Sequence, residues 1–174
     1  MRFIQTFATS FAAALLAAAP ASGDTPCEKL AALKLPGATI TAADAIAAGP
    51  YKTQAPANNM VQVPAFCRVA ATLRPTDDSS IGIEVWLPEN WNGKYEGVGG
   101  GGWAGEIGAA AMAGAIAEGY ATSATDTGHK GNDASFAPGH PEKLIDFAYR
   151  GVHEMTIAAK ALINAYYGRA PKWS

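Results

Sequence analysis

The amino-acid sequence predicts an α/β fold, and three patterns carry the prediction. Apolar and polar residues alternate over 66–73 and again over 81–87, with a turn rich in Asp and Ser between them, so an antiparallel hairpin is expected. A strand, a glycine-rich turn, a helix and another strand follow over 94–125. Residues 141–167 repeat apolar positions at spacings of three and four, as a helix does. Strands that alternate with helices form parallel sheets with right-handed crossovers, so a parallel part should follow the hairpin.

The segment before the hairpin gives weaker signals. Residues 27–33 are predicted to form a short helix, 42–46 a turn-rich piece, and 50–64 an irregular stretch or an edge strand. Within the hairpin, the alternation places one set of side chains, Ile81, Ile83, Val85 and Leu87, on one face of the sheet, and Glu84 and Trp86 on the other.

Gly and Pro punctuate the elements after the hairpin. The expected order is a short strand over 94–98, an Ala-rich helix over 106–118 that ends at Gly119, a strand over 120–125, and a loop over 126–140. Pro141 then begins the last helix, because proline fits the first helical turn. The apolar positions of that helix are Leu144, Ala148, Val152, Met155, Ala159, Leu162 and Tyr166, and Gly168 and Pro171 end it.

Residues 1–23 have the pattern of a secretory signal peptide: Arg2, an apolar run, then small residues. The apolar run is shorter than the roughly 18 to 20 residues of a membrane helix, and no later stretch reaches that length. Residues 24–174 are therefore expected to form part of one exported domain, secreted or periplasmic. The net charge of −2 and the lack of a basic stripe argue against nucleic acid and the membrane surface as partners.

Cys27 and Cys67 are the two cysteines of the chain. An even number of cysteines in an exported protein predicts pairing, so we expect a disulfide between them. Closing a loop of about 40 residues should stabilise the fold by roughly 4 kcal/mol in the chain-entropy model. Neither a Cys-x-x-Cys motif nor a neighbouring histidine favours a zinc or redox role instead.

The glycine-rich turn over 97–105 is the most informative local feature of the sequence. Glycines bring bare backbone N–H groups close to a ligand, and the N-terminus of a following helix adds partial positive charge. Such a turn suits a phosphate or an oxyanion. A turn at this place is also where an α/β-hydrolase carries half of its oxyanion hole, and such a fold holds its nucleophile on the turn after the next strand. The sequence contains no Gly-x-Ser-x-Gly before its end, so we expect the N-terminal portion of an α/β-hydrolase fold, with an incomplete sheet.

Several short blocks resemble the tannase and feruloyl esterase family, and they occur in order over nearly all of the mature chain. They include Phe66-Cys67-Arg68-Val69, Val85-Trp86-Leu87-Pro88, Trp91-Asn92-Gly93-Lys94, Thr125-Asp126-Thr127-Gly128-His129 and Gly139-His140-Pro141-Glu142-Lys143. The resemblance implies a secreted serine hydrolase of the α/β-hydrolase fold that cleaves esters of aromatic acids such as feruloyl or galloyl esters. It also implies the pairing of Cys27 with Cys67.

The resemblance implies a Ser, Asp and His triad and a lid domain that commonly holds calcium. The Cys-Ser-x-Gly-Gly motif of the family would fall a few residues beyond Ser174, and the lid further on. No triad residue, metal site or cofactor is therefore expected within residues 1–174, and this piece alone should be inactive.

What the resemblance carries onto this sequence is the glycine turn. Backbone N–H groups of Gly101 or Gly102, with Gly100 as the next choice, are the expected oxyanion donors; Gly100 stands where relatives often have Asn. A tight packing turn without a ligand is the alternative. Trp103 projects from the same turn and is a candidate for an aromatic-acid pocket, against the alternative of a core tryptophan.

The histidines do not form a metal-binding pattern. His129 and His140 flank a loop that contains Asp133, yet the spacing with Asp126 matches no recognised ligand set. Asp126 and His129 are interpreted as residues that organise this loop. His153, on the last helix, is assigned a structural hydrogen bond.

Two other classes of protein remain open. Gly97-x-Gly99-x-x-Gly102 satisfies the dinucleotide fingerprint, but Asp126 lies about 29 residues from the first glycine rather than about 20. A Rossmann-type nucleotide-binding domain in an exported chain with a disulfide is therefore disfavoured. In a non-catalytic secreted binding module, the glycines would be structural.

Overall fold

The computed structural model describes residues 25–53 and 59–174, in which the strands form a five-stranded sheet and a separate two-stranded one. The strands are β1 (Ala38–Ile46), β2 (Gly49–Lys52), β3 (Met60–Val63), β4 (Phe66–Leu73), β5 (Ile81–Pro88), β6 (Tyr95–Gly97) and β7 (Ala121–Thr125). The α-helices are α1 (Ala109–Ala117), α2 (Pro141–Ile145) and α3 (Gly151–Tyr167), with short 3₁₀ turns over Cys27–Ala32 and Ala134–Phe136.

The large sheet has the order β1-β4-β5-β7-β6. Strands β1, β4, β5 and β7 pair antiparallel, whereas β6 and β7 pair parallel and are joined through α1. The predicted α/β fold, with an antiparallel hairpin followed by parallel strands and a crossover helix, is confirmed.

The central strands β4, β5 and β7 are largely buried, because helices α1 and α3 pack on opposite faces of the sheet. The side chains of β5 predicted to share one face, Ile81, Ile83, Val85 and Leu87, lie in the core that contains the buried residues of α3. Trp86 faces the other way, into a second core with Phe66 and with Met112 and Ile116 of α1. The period-two alternation therefore predicted the orientation of the hairpin correctly.

The predicted disulfide is confirmed. Cys27 and Cys67 are bonded, with their Cα atoms 5.5 Å apart, and both residues are buried. The bond ties the first 3₁₀ turn to the start of β4, so it fixes the chain ahead of the sheet to the sheet itself.

The prediction of a turn-rich piece over 42–46 is wrong, because these residues belong to β1. β1 pairs with β4 in two registers that are offset by a bulge between Ile40 and Ala42. A bulge inserts one residue and shifts the alternation of side chains, so the period-two pattern is lost from the sequence. The region over 50–64, predicted to be irregular or an edge, contains the paired strands β2 and β3.

The last helix is interrupted, which the sequence prediction missed. A π-helical turn over Asp146–Arg150 separates α2 from α3. A π turn inserts a residue and rotates the helix surface that follows it relative to the surface before it. Of the predicted apolar positions, three are exposed, Leu144, Ala148 and Val152, whereas Met155, Ala159, Leu162 and Tyr166 are buried as predicted.

The predicted signal peptide, residues 1–23, lies outside the described residues. Within the described part of the chain, no helix is both long enough and apolar enough to cross a membrane.

Candidate active site

The glycine turn follows directly from the parallel pairing of β6 and β7. The Val98 amide donates to the carbonyl of Ser123 at 2.8 Å, which extends the parallel pairing by one residue. Residues 99–103 then leave the sheet and are exposed. Helix α1 begins at Ala109 rather than at the predicted residue 106, although its N-cap, Gly108, packs beside the Gly99 carbonyl. The N-terminus of α1 is therefore near the turn in space but not contiguous with it in sequence.

The turn has unused backbone donors and open space. The amides of Gly99, Gly100, Gly101 and Gly102 donate to no carbonyl of the described residues. A Cβ added at Gly99, Gly101 or Gly102 would meet nothing within 4 Å. Gly102 has φ +56°, a conformation that L side chains rarely adopt. An oxyanion is a ligand that such a set of exposed amides can bind.

Two hydrogen bonds fix the shape of the turn. The Ala104 amide donates to the carbonyl of Gly101 at 3.2 Å, and the Gly105 amide donates to the carbonyl of Gly131 at 2.8 Å. Gly105 also packs closely on the loop after β7, since a Cβ there would lie 2.6 Å from the His129 carbonyl oxygen. Residues 129–131 therefore contact the turn and fix its position.

His129 is the side chain that joins this loop to the turn. Its imidazole is buried, with Nε2 2.9 Å from the Trp103 carbonyl oxygen and Nδ1 3.3 Å from the Thr127 hydroxyl. The ring stacks on Phe136, with centroids 4.0 Å apart. The sequence indicated that His129 organises the loop; its contact with the glycine turn was not foreseen.

Trp103 lies beside the free amides and is partly exposed. Its indole stacks on Phe147, with ring centroids 4.7 Å apart, and 42% of its surface remains accessible. Trp103 is therefore not a core tryptophan. One side of its ring packs on Phe147, and the other side is accessible. The sequence did not predict that Phe136 and Phe147 contact Trp103.

The loop after β7 is built around a buried carboxylate. Oδ1 of Asp126 accepts from the amides of Gly82 at 2.8 Å and Gly128 at 2.9 Å, and Oδ2 lies 3.4 Å from the ammonium of Lys130. Burial raises the pKa of the Asp126 carboxyl, although these three groups act in the opposite direction. A larger residue at position 82 would displace this carboxylate, because a Cβ there would lie 2.6 Å from Oδ2.

A second buried carboxylate, Asp146, supports the same loop from the π-helical turn between α2 and α3. Its Oδ1 accepts from Nε of Arg150 at 2.5 Å, and Gly128 packs against its Cβ. Its Oδ2 is buried without a hydrogen-bond partner among the described residues. Arg150 also contacts the Glu142 carboxylate at 2.7 Å. The charge of Asp146 is therefore balanced by one guanidinium within the fold.

The other two histidines make no hydrogen bond to the turn among the described residues. His140 pairs with Asp78, and His153 is exposed on α3. Within residues 25–53 and 59–174, no group of three His, Cys, Asp or Glu side chains is arranged to hold a metal ion.

The structure combines an α/β sheet with exposed backbone amides after a parallel strand. This combination is typical of the α/β-hydrolase class. A family model described as tannase and feruloyl esterase matches residues 67–174. The chain belongs to this family.

Individual relatives agree with this assignment. The chain is 44% identical over 158 residues to an uncharacterised esterase of Xanthomonas campestris, a match that spans 88% of this chain and 27% of that protein. It is 37% identical over 109 residues to feruloyl esterase B of Aspergillus niger, across 63% of this chain and 21% of that enzyme. The chain thus spans about a quarter of the length of these relatives.

Solved structures give the same result. The crystal structure of feruloyl esterase B from Aspergillus oryzae superposes with a TM-score of 0.76 and 32% identity, over 82% of this chain and 29% of that one. Tannin acyl hydrolase from Aspergillus niger superposes with a TM-score of 0.59 and 25% identity, over 79% of this chain and 27% of that one.

The dinucleotide-binding alternative finds no support at the residues it needs. Asp126, the candidate ribose ligand, directs Oδ1 to two backbone amides and Oδ2 towards Lys130. Helix α1 begins at Ala109, well after Gly102, whereas the fingerprint requires its glycines to lead into the helix.

Proposed function

We propose that this chain forms part of a secreted carboxylic-ester hydrolase that cleaves esters of aromatic acids, feruloyl, galloyl or related, with a serine nucleophile outside residues 1–174. The observation that supports it most is the set of free amides at Gly99–Gly102, next to an edge of the sheet at which Lys94 forms an isolated parallel bridge with Trp173. In this proposal Gly101 and Gly102, then Gly100, supply oxyanion donors. Residues 1–23 are removed on export, and residues 24–174 form the N-terminal part of the catalytic domain.

The outer edge of β6 supports the position of the nucleophile. The Tyr95 amide donates to the carbonyl of Trp173 at 2.9 Å, the Lys172 amide donates to the carbonyl of Gly93 at 2.8 Å, and Lys94 bridges Trp173 in parallel. Lys94 is paired with Trp173 in this register. If the chain continued as a parallel strand, the third residue after Trp173 would therefore pair with Gly97. The turn after that strand would face the glycine turn, as a hydrolase nucleophile does.

The mechanism follows from this juxtaposition. The serine oxygen bonds to the ester carbonyl carbon while a histidine takes its proton, and the carbonyl oxygen becomes an oxyanion. The turn amides donate to that oxygen, the alcohol leaves with the proton, and water then releases the acid from the acyl-enzyme. One such donor is typically worth about 3 kcal/mol of transition-state stabilisation. The exposed side of Trp103 would stack on the aromatic acid.

The decisive experiment reads the coding DNA past the Ser174 codon and compares two proteins. We expect Cys-Ser-x-Gly-Gly within about ten codons, on the turn that such nucleophiles need. The complete protein should hydrolyse methyl ferulate, its Ser→Ala variant should not, and residues 24–174 alone should show no turnover above buffer.

Two results would contradict the proposal. Turnover by residues 24–174 alone would show that the nucleophile lies within them. A cooperative thermal transition of monomeric 24–174, without binding of a hydrophobic dye, would favour a self-contained binding module.

A further inference from the structure

The imidazole of His129 has a fixed position between two loops. It is 6% exposed, stacks on Phe136 at 4.0 Å and meets the edge of Phe147 at 5.6 Å. A ring held on two sides by aromatic groups has little freedom to rotate, so the directions of its two nitrogens are set by packing. The ring is therefore suited to fixing the group that it bonds.

The partners of the two nitrogens determine where its proton lies. A carbonyl oxygen only accepts hydrogen bonds, so Nε2, which is 2.9 Å from the Trp103 carbonyl oxygen, carries a hydrogen. The Thr127 hydroxyl already donates to the Asp126 carbonyl at 2.8 Å and lies farther away, 3.3 Å from Nδ1. The bond to Trp103 is thus the closer of the two polar contacts of the ring.

The peptide geometry passes this constraint to the glycine turn. The Trp103 carbonyl and the Ala104 N–H belong to one planar peptide unit, so His129 fixes the plane from which Ala104 donates to the Gly101 carbonyl. The Gly101 carbonyl and the Gly102 N–H belong to a second planar peptide unit. In a trans peptide these two groups point in opposite directions. Holding the Gly101 carbonyl towards Ala104 therefore directs the Gly102 amide away from the turn.

We propose that His129 is a positioning residue for the oxyanion turn: its Nε2–H, through the Trp103 and Gly101 carbonyls, sets the direction of the Gly102 amide. The inference rests on the proposed function of the turn. It assigns to His129 no contact with substrate and no proton transfer in the reaction.

The test uses the complete protein with methyl ferulate, and it compares variants that differ only in the donor. His129→Phe keeps an aromatic ring for stacking on Phe136 but has no N–H, whereas His129→Gln keeps a donor of similar reach. Because a misplacement of about 1 Å in an active site can cost 10²-fold, His129→Phe should lower kcat by about 10- to 100-fold. KM should stay within about threefold, and His129→Gln should recover most of kcat. His140→Phe, at an exposed histidine whose ring pairs with Asp78 and not with the turn, should match wild type.

Each outcome decides the inference. Equal kcat in His129→Phe and wild type overturns it, and so does an equal loss in His129→Phe and His129→Gln, since a hydrogen-bond donor at this position would then not restore kcat. If His129→Phe does not fold, His129→Asn replaces it: this shorter amide should lose kcat while His129→Gln retains it, and equal kcat in the two overturns the inference. A wild-type complete protein without esterase activity overturns the proposed function, and the positioning role with it.

Discussion

The loops that follow the two parallel strands are built in opposite ways. After β6, residues 99–103 are exposed, and the glycine amides there have no acceptor among the described residues. After β7, Asp126, Gly128 and His129 are buried, and each takes part in hydrogen bonds. The first loop leaves its backbone donors without acceptors, and the second uses its polar groups to hold the first in place.

Two ion pairs, Asp126–Lys130 and Asp146–Arg150, support the loop after β7. Buried polar groups persist in folded proteins when they are paired, and the loop after β7 rests on two carboxylates that are each paired with a cation. The two pairs share the same spacing of four residues but differ in burial. Lys130 is 85% exposed in its side chain, whereas that of Arg150 is 15% exposed. The Arg150 pair should therefore matter far more to stability than the Lys130 pair.

The largest expected effect follows from that contrast. Arg150→Met in the complete protein leaves the fully buried Asp146 without its cation, so the free energy of unfolding should fall by about 3 to 5 kcal/mol. Lys130→Met removes a largely exposed cation from Asp126, whose Oδ1 still accepts from two backbone amides, and should cost less than about 1 kcal/mol. Urea unfolding of both variants measures the difference. Similar losses in the two would mean that the support of the loop does not depend on the burial of its ion pairs.

The next effect tests the free amides of the first loop. Gly101 has open space around it and lies outside the left-handed region, so a side chain is sterically tolerated there. Gly101→Pro removes the N–H, and Gly101→Ala retains it. If this amide donates to the oxyanion, Gly101→Pro should lose about 3 kcal/mol of transition-state stabilisation, roughly 10²-fold in kcat. Gly101→Ala is the matched control.

The comparison of Gly101→Pro with Gly101→Ala separates the effect of losing the N–H donor from the effect of adding a side chain. A kcat for Gly101→Ala as low as that of Gly101→Pro would show that the turn is sensitive to bulk and not to the amide. Near-wild-type kcat in both would remove Gly101 from the oxyanion hole and leave Gly102 and Gly100 as donors.

The sequence predicted the parts of the molecule that local patterns encode. The alternation in β4 and β5, the glycine turn after β6 and the pairing of Cys27 with Cys67 were all readable, because each depends on residue type and short spacing. β1 was not, since its bulge breaks the alternation. The exposure of Val152 was not either, because the π turn before α3 shifts the helical period.

The frame of the site depends on contacts that no local pattern encodes. His129 reaches Trp103 across 26 positions of sequence, and Gly82 makes room for Asp126 across 44. Histidine and glycine at these positions are compatible with many structures. Only the arrangement of β5, β6 and β7 in one sheet brings them together.

The smallest expected effect concerns the pH dependence of the loop after β7. Burial raises the pKa of Asp126 above the ordinary value of 3.8, so the folded state favours the protonated form. Stability from this group is therefore fully present below about 3.8 and is lost as pH rises through the higher folded-state pKa, at about 1.4 kcal/mol for each unit of separation. Asp126→Asn keeps an oxygen for the Gly82 and Gly128 amides but does not titrate. The melting temperature of Asp126→Asn relative to the wild-type complete protein should therefore rise between pH 4 and 7. A difference that stays constant or falls over this range would mean that the Gly82, Gly128 and Lys130 contacts outweigh the cost of burying the charge.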